Sequence, residues 1–460
     1  MASDYDQHKL EQLLAELLQG PVYPDQEFVC NRATFTDIYA MASKFYLRLK
    51  EIEDKTVPVC LAAEDRSTIA AALLASLASG HILALPHSFS AAALAQMQDA
   101  TGYKWAIVDT GQQRDFPAKT QLLSSGSMGD NETPAFASEE ISVHTTWLLL
   151  FTGGSTGAPK IWSKTAGNML GEALFMAARF NIDTSDTIMA TVTPYHIYGL
   201  LFSVLIPLVA SARVLAETPS FPAEIAEVAH QESATILASV PAHYRVLRGR
   251  KITPSLRLAF SSAGMLEQSD NEDFCKTNKI GVVEVYGSTE TGGLAIRDRF
   301  GGQEFFSPLP PVEWQIKEER LYVRSPFLSP DLPMAEHDFF LSGDRVQSRG
   351  ENEFSLHGRA DAITKVGGER VDLDEIRDLL QKQPDVKECV VVALGDDSGR
   401  GNRIAALVRG GDIDLKQIKR NLASSLEPAA LPKRIRKVDH IPVTANGKYD
   451  RRGIQSLLSE

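Results

Sequence analysis

Along the first 150 residues, apolar positions switch between a helical period and short continuous runs. Leu10, Leu13, Leu14, Leu17 and Leu18 recur at helical spacing and predict a helix. Residues 57–62 are a brief apolar run that predicts a buried strand. The Ala/Leu-rich stretch 68–77 predicts a helix, and 82–85 predicts a strand that stops at Pro86. Such alternation predicts α/β layers with parallel strands. Residues 111–140 show no period, and the Ser/Gly-rich segment 123–131 predicts an exposed loop. Further strands are predicted at 146–151, at 234–240 ending at Pro241, at 256–260 and at 282–286. Residues 187–215 are apolar, with Pro194 and Pro207 as breaks. Residues 312–325 alternate as an antiparallel hairpin does, with Glu318 and Glu319 near its turn.

The last hundred residues read as a separate α+β unit. Helices are predicted at 374–381, with Ile376, Leu379 and Leu380 on one face, and at 415–426; strands are predicted at 386–394 and 403–409. Charge shifts at the same place. Residues 360–460 carry 18 basic and 16 acidic side chains, the remainder 29 and 43. A boundary near Arg359 follows, giving domains 1–359 and 360–460.

Composition narrows the function classes. With 460 residues, 43% hydrophobic and 23% charged, the chain has the make-up of a globular protein with room for two to four domains. A formal charge of −12 argues against a nucleic-acid partner, which calls for a basic stripe. Cys30, Cys60, Cys275 and Cys389 form no CxxC pair, so a cysteine zinc site lacks support and buried free thiols in a reducing compartment are expected. The acidic N-terminus lacks the regions of a signal peptide. The longest apolar stretch, 199–212, is interrupted by Pro207 and is shorter than the roughly 20 residues that cross a bilayer. A cytoplasmic protein without a membrane span is expected.

Five stretches carry candidate chemistry. Residues 151–160 read Phe-Thr-Gly-Gly-Ser-Thr-Gly-Ala-Pro-Lys after a predicted strand. Glycines let backbone N–H groups approach an anion, hydroxyls add donors and Lys160 adds charge. The spacing fails the Walker A pattern, and such a run alone also fits a plain loop. Residues 284–292 read Glu-Val-Tyr-Gly-Ser-Thr-Glu-Thr-Gly. Tyr286 offers a stacking face, Thr289 a hydroxyl and Glu290 a hard oxygen for Mg²⁺, although a capped turn before a helix fits as well. In Ser342-Gly-Asp-Arg345, Asp344 can accept from a ribose diol or satisfy its own turn. The fourth stretch is 358–371, and the fifth, 442–450, carries Lys448 after Gly447.

Together, in this order, the five resemble the adenylate-forming superfamily: acyl-CoA and aryl-CoA synthetases, nonribosomal peptide synthetase adenylation domains and firefly-type luciferases, with acyl- and aryl-CoA synthetases closest. The resemblance runs from about residue 30 to the end. It implies an α/β fold: a large N-terminal domain of mixed α/β subdomains plus a small β-barrel, and a small mobile α+β C-terminal lid.

The resemblance also implies roles. Thr152, Gly153, Gly154, Ser155, Thr156, Gly157 and Lys160 would wrap the ATP phosphates. Tyr286, followed by Gly287, would stack on adenine, with Ser262, Ala263 and Gly264 on the ring's other side. Thr289 would touch the α-phosphate and Glu290 would hold Mg²⁺. Asp344, helped by Arg359, would take the ribose hydroxyls. Asp361 matches the hinge, Gly367 and Gly368 the thiol channel, and Lys448 the lid lysine that bridges the substrate carboxylate and the α-phosphate. Two departures stand out: Gly153 where Ser is usual, and Ile-Trp-Ser-Lys at 161–164 in place of a Val/His-rich continuation.

The implied reaction is ATP-dependent activation of a carboxylic acid to acyl-AMP, then transfer to a thiol, that of coenzyme A or of a carrier protein's phosphopantetheine arm. The segment Pro-Tyr-His-Ile-Tyr-Gly-Leu at 194–200 resembles the border of the acyl pocket. There His196 matches a position near the carboxylate, while a packed core histidine fits equally. No acidic residue occurs from Pro194 through Arg213 to pair an ammonium, which disfavours an α-amino acid. Tyr195 and Tyr198 fit an aryl or medium-chain acid. The basic group Lys433, Arg434, Arg436 and Lys437 is either a solvated face or a contact for an acidic thiol carrier.

Overall fold

The computed structural model describes residues 7–112, 114–124, 136, 142–152, 160–360, 363–366, 369–395, 402–443 and 449–459. Contacts divide the chain into two units. One is Met1–Trp314 with Val323–Phe340; the other is Gln315–Tyr322 with Leu341–Glu460.

The first unit is built on two sheets. A six-stranded sheet runs in the order Gln121–Leu123, Trp105–Val108, Val59–Ala62, Leu83–Leu85, Thr146–Thr152, Lys160–Thr165. Its first five strands are parallel, and Lys160–Thr165 returns antiparallel to Thr146–Thr152. A nine-stranded sheet places Thr187–Ala190, Ile236–Ser239, Leu258–Ser261 and Val283–Ser288 side by side in parallel. Gly292–Asp298 then pairs antiparallel with Val283–Ser288. The helix Arg66–Ser79 is buried on every face, which its Ala/Leu composition permits. Asp65 caps its N-terminus by accepting from Ser67 and Thr68 N–H, and Gly80 ends it in the left-handed region.

Most predicted elements form within a residue or two of their expected ends, and the α/β class with parallel strands is observed. One expectation is corrected. Pro207 does not break its segment: it lies within the helical run from Ile197 to Ala210. The middle of that run, Leu201–Leu205, winds as a π-helix, and the Ile206 N–H reaches back to the Leu201 carbonyl. A wider turn accommodates a residue that lacks an N–H and would crowd the preceding turn. The strand Gln121–Leu123 was not expected. It falls in the aperiodic stretch, whose predicted loop lies from 125 onward outside the described residues.

The hairpin expected near Glu318 and Glu319 is present as Glu313–Lys317 and Arg320–Arg324. Both turn residues have positive φ, 51° and 58°, as a two-residue turn matched to strand twist requires. These strands continue into Phe340–Ser348 and Phe354–Arg359 as a four-stranded sheet. Within the second unit, Leu373–Gln381 and Leu415–Ala423 pack on the sheet of Val386–Gly395, Asn402–Gly410 and Arg434–Lys437. Ile454 and Leu458 of the C-terminal helix Arg451–Ser459 pack with Leu394, Ala405, Leu407 and Ile441.

All four cysteines are buried free thiols. Burial pushes the Cys30 thiol up to about 11 and Cys389 to about 12, and also raises Cys60 and Cys275. Among the described residues, no helix is long and apolar enough to cross a membrane.

Asp186 is the buried polar anchor of the nine-stranded sheet. It accepts from Arg257 Nε at 2.8 Å and Nη2 at 2.5 Å, from Thr235 Oγ1 at 2.6 Å and from Asp183 N–H at 3.1 Å. Burial raises its carboxyl, but the Arg257 and Thr235 bonds together outweigh that and hold it below the usual carboxylate value. Asp186→Ala is expected to lower stability by about 1–3 kcal/mol, since it removes the acceptor that Thr235, Asp183 N–H and Arg257 share, while Arg257 stays solvated. The contribution of Asp186 is complete above its unfolded value near pH ~4 and drains away as pH falls through its lower folded value. Urea unfolding of wild type and variant between neutral and acid pH measures both.

Candidate active site

The second candidate stretch forms a tight hairpin rather than a capped turn before a helix. Tyr286, Gly287 and Ser288 end the strand Val283–Ser288, and Gly292 opens the return strand. A Cβ on Gly287 would meet the Gly292 carbonyl at 2.1 Å, so only glycine allows this approach. Ser288 and Thr291 fasten the turn. Ser288 N–H donates to Thr291 Oγ1 at 3.0 Å, and Thr291 N–H donates to Ser288 Oγ at 3.3 Å. Thr289 and Glu290 protrude between them, half-buried. The Glu290 carboxylate takes no hydrogen bond or ion pair among the described residues. A half-buried, unclaimed carboxylate of hard oxygens fits a magnesium ion that draws its other ligands from phosphate and water.

Tyr286 is backed by Phe306, ring centroids 5.8 Å apart. The Arg297 guanidinium lies 4.4 Å from the Phe306 ring centroid. Arg297 in turn grips the buried Glu284 carboxylate through Nε at 2.9 Å and Nη2 at 2.8 Å, with Arg299 at 3.1 Å. The nucleotide-stacking candidate thus stands on an aromatic and ionic base. The neighbouring strand Leu258–Ser261 delivers Ser262, Ala263 and Gly264 alongside it. Ser262 Oγ donates to the Val285 carbonyl at 2.8 Å, and Ala263 has φ 67°.

Thr152 and Lys160 face each other across the antiparallel pair of the six-stranded sheet, and Thr152 Oγ1 donates to the Lys160 carbonyl at 3.4 Å. Lys160 is exposed, with Nζ 5.9 Å from the Trp162 ring. Gly153, Gly154, Ser155, Thr156 and Gly157 lie outside the described residues, as do Asp361, Gly367, Gly368 and Lys448.

Lys164, four residues past Lys160, is fully buried. Its ammonium donates to the Phe327 carbonyl at 2.8 Å and the Glu290 carbonyl at 3.2 Å. Ser329 N–H donates to the same Glu290 carbonyl at 2.8 Å. Glu172, also buried, accepts from Gly293 N–H at 2.8 Å. Burial pushes the Lys164 ammonium down and the Glu172 carboxyl up, and each charge opposes the other's fall or rise. Ser163 Oγ donates to Asp331 at 2.9 Å and Asn168 Nδ2 to the Pro326 carbonyl at 2.6 Å. The strand after the glycine-rich stretch is therefore bound to the turn that carries Glu290.

His196 is half-buried and stands at the N-terminal flank of the helix beginning at Ile197, without a side-chain cap bond. Its ring lies 4.9 Å from Tyr195, and Tyr195 meets Phe89 edge-on at 4.8 Å. The Arg114 guanidinium sits 3.7 Å from the Phe89 ring centroid. Tyr198 packs against Phe202 at 5.1 Å, and burial raises its phenol. Gly199 is fixed by contact: a Cβ there would fall 1.9 Å from the Thr193 carbonyl. Sequence reasoning missed a polar trio beside this segment. His243 Nδ1 shares a hydrogen bond with Thr191 Oγ1 at 2.7 Å, and Thr191 another with Ser239 Oγ at 2.7 Å. Burial lowers the His243 imidazole. Thr191 follows a strand end, as does His243 four residues after Ser239, and that placement was the available signal.

In the second unit, Asp344 and Arg359 are direct cross-strand partners, so the two proposed ribose residues share one register. Gly358 has φ 89°, and a Cβ there would strike Asp374 Oδ2 at 1.9 Å. Arg345 donates to the His357 carbonyl at 2.8 Å and pairs with Asp372. The basic group at 433–437 is largely committed internally. Arg434 and Arg436 donate to the Leu458 and Leu457 carbonyls at 2.8 and 2.6 Å, and Lys437 to the Gly411 carbonyl at 2.5 Å.

Comparison with known proteins gives this arrangement a context. The chain is 24% identical over 360 residues to a dimodular nonribosomal peptide synthase of Bacillus subtilis, covering 66% of this chain and 14% of that protein. It is 26% identical over 313 residues to 4-coumarate–CoA ligase of Halorhodospira halophila, covering 67% and 76%. The structure of ATP-bound MatB from Rhodopseudomonas palustris superposes with a TM-score of 0.84 at 19% identity, covering 98% of this chain and 99% of that one, which shows a shared fold. The profile of the AMP-binding enzyme C-terminal domain matches residues 375–448. The profile of the AMP-binding enzyme itself matches residues 19–325, well over half the chain, and on that match this protein belongs to the AMP-binding enzyme family.

Proposed function

We propose that this protein activates a carboxylic acid with ATP and passes the acyl group to a thiol. A carboxylate is a poor acyl donor because it would have to expel oxide. Attack of its oxygen on the α-phosphorus of ATP forms the acyl-AMP anhydride and releases pyrophosphate. A thiol then attacks the acyl carbon, and AMP leaves. The first step brings two anions together, so positive charge and oriented donors carry much of the work.

The observation that carries this reading is the bonding of two separate elements within one unit. The strand that follows the glycine- and hydroxyl-rich stretch is tied through Lys164 to the turn bearing Thr289 and Glu290. Both Thr152, which precedes the glycine-rich stretch in sequence, and Tyr286–Ser288 lie at carboxyl ends of strands, where ligands of open α/β sheets bind. We assign the phosphates to 152–157 and Lys160, adenine to Tyr286 and Ser262–Gly264, and the α-phosphate to Thr289. The ribose goes to Asp344 and Arg359. Glu290 would hold Mg²⁺, whose charge would offset that of the phosphates. We assign Lys448 to the carboxylate and α-phosphate, and residues 360–460 to a lid that turns at Asp361 and presents Gly368 to the thiol. The match of 375–448 to a C-terminal-domain profile supports a separate role for that segment.

For the acid we favour an aryl or medium-chain acyl group held by Tyr195, Tyr198 and His196. The absence of any carboxylate from Pro194 through Arg213 speaks against an ammonium-bearing substrate. Coenzyme A is the favoured acceptor, as in the ligase named above. The similarity to a peptide synthase supports the phosphopantetheine arm of a carrier protein as the second reading. The buried free thiols support a reducing, cytoplasmic location.

ATP–pyrophosphate exchange over aryl, short, medium and long acids tests the reaction: exchange with one class is expected, and none with any acid refutes it. Glu290→Gln is expected to reduce exchange by about 10²–10³-fold, given the size of such electrostatic contributions. Lys448→Ala is expected to cripple acyl-AMP formation while thioester synthesis from preformed acyl-AMP continues; equal loss of both steps refutes the lid assignment. Asp361→Pro is expected to spare exchange and block thioester formation, and full activity in both steps refutes the hinge.

A further inference from the structure

We propose that Lys164 and Glu172 are a positioning pair that sets the Glu290 turn for the metal-bound nucleotide, so that the strand leaving the glycine-rich stretch and the turn bearing Glu290 are held as one piece. The inference rests on the reading of Glu290 as the magnesium ligand and adds two residues that do not touch substrate.

The pair grips the turn at both ends. Lys164 holds the carbonyl of Glu290 itself, at 3.2 Å, and Glu172 holds the N–H of Gly293, at 2.8 Å. Thus the residues from Glu290 to Gly293 are suspended between a cation on the strand Lys160–Thr165 and an anion on the helix Ala166–Arg179. Glycine is needed where the carboxylate presses against the chain. Gly292 has φ 66°, and a Cβ there would lie 2.6 Å from Glu172 Oε2; one on Gly293 would lie 3.0 Å from Oε1. The second bond of the ammonium, to the Phe327 carbonyl at 2.8 Å, fixes the lysine from behind.

Stability alone is a weak account of such a pair. Two charges withdrawn from water cost so much that apolar residues of similar volume often serve as well or better. Apolar residues cannot fix the direction of a carbonyl and an N–H. Here both groups lie directly after the Cα that bears the one carboxylate to which the site assigns the metal, the nearer of them being the carbonyl of Glu290 itself. The Glu290 side chain inherits its aim from its own main chain, and Lys164 is bonded to that main chain.

The test separates positioning from folding. The double variant Lys164→Met/Glu172→Gln removes both charges at once and avoids a stranded ion. Lys164→Arg retains the cation and its donors, and Glu172→Gln alone retains an acceptor for Gly293. Calorimetric binding of Mg·ATP and of AMP without metal, thermal unfolding and pyrophosphate exchange are measured on the full chain. The double variant is expected to fold, to lose at least tenfold in Mg·ATP affinity and to keep AMP affinity within threefold. Its exchange reaction should show a raised KM for Mg·ATP, with Lys164→Arg restoring most of the loss. A folded double variant, or a folded Lys164→Met should the double variant not fold, that binds Mg·ATP within twofold of wild type overturns the inference while leaving the function intact. Parallel losses of AMP and Mg·ATP binding also overturn it, because they mark a general structural role. Wild type that binds no Mg·ATP and exchanges no pyrophosphate ends both.

Discussion

A lysine ammonium withdrawn from water must find its hydrogen bonds inside the protein, and at Lys164 it finds them on main-chain carbonyls. This constraint organises the site in the first unit. Two sheets with separate connectivities each bring part of the proposed nucleotide site to the ends of their strands. A hydrogen bond to the Glu290 carbonyl joins the parts, and Ser163 and Asn168 reinforce the join through Asp331 and Pro326. The fit is geometric as well as electrostatic, since glycines at 287, 292 and 293 are what let backbone and carboxylate approach so closely.

The side proposed for adenine follows a different strategy. Tyr286 is supported by a tilted aromatic contact and a salt link: Glu284 and Arg297 pair across the two strands of its hairpin, and Phe306, from the following segment, touches both Arg297 and Tyr286. A buried bidentate arginine is geometrically exacting, which suits a platform whose use depends on orientation. The side proposed for the acid has an aromatic chain from Arg114 through Phe89 and Tyr195 to His196 and the hydroxyl–imidazole trio of Ser239, Thr191 and His243. A wall of this kind offers both flat apolar contact and a few directed polar groups, the usual composition of a small-molecule site.

Much of this was legible in the sequence because it rests on local signals. The parallel strands announce themselves as apolar runs ending at Gly, Ser or Pro, and the second unit as amphipathic helices between alternating strands. The motif at 284–292 is legible because glycine and hydroxyl spacing within one hairpin is a local property. Lys164 stood out only as part of the departure at 161–164, because its meaning depends on Phe327 and Glu290, more than 120 residues away. Read locally, it was only an odd residue in a strand. His243, in the helix Pro241–Val246, escaped for the same reason, as its partner Thr191 follows the end of a strand 52 residues earlier in the chain. The π-helix at Leu201–Leu205 has no sequence period of its own, so Pro207 read as a break. The basic group at 433–437 reads as surface charge until Arg434 and Arg436 are seen to close the free carbonyls of the C-terminal helix.

The deep placement of the four cysteines has a practical side. Each native sulfur is shielded, and its ionisation is suppressed by that shielding, so alkylating reagents at neutral pH meet little thiolate. A maleimide dye directed to a cysteine newly placed on either unit should therefore label that position almost alone. Donor and acceptor fluorophores could then report the separation of the two units through a catalytic cycle in an otherwise unaltered enzyme, with no native sulfur removed.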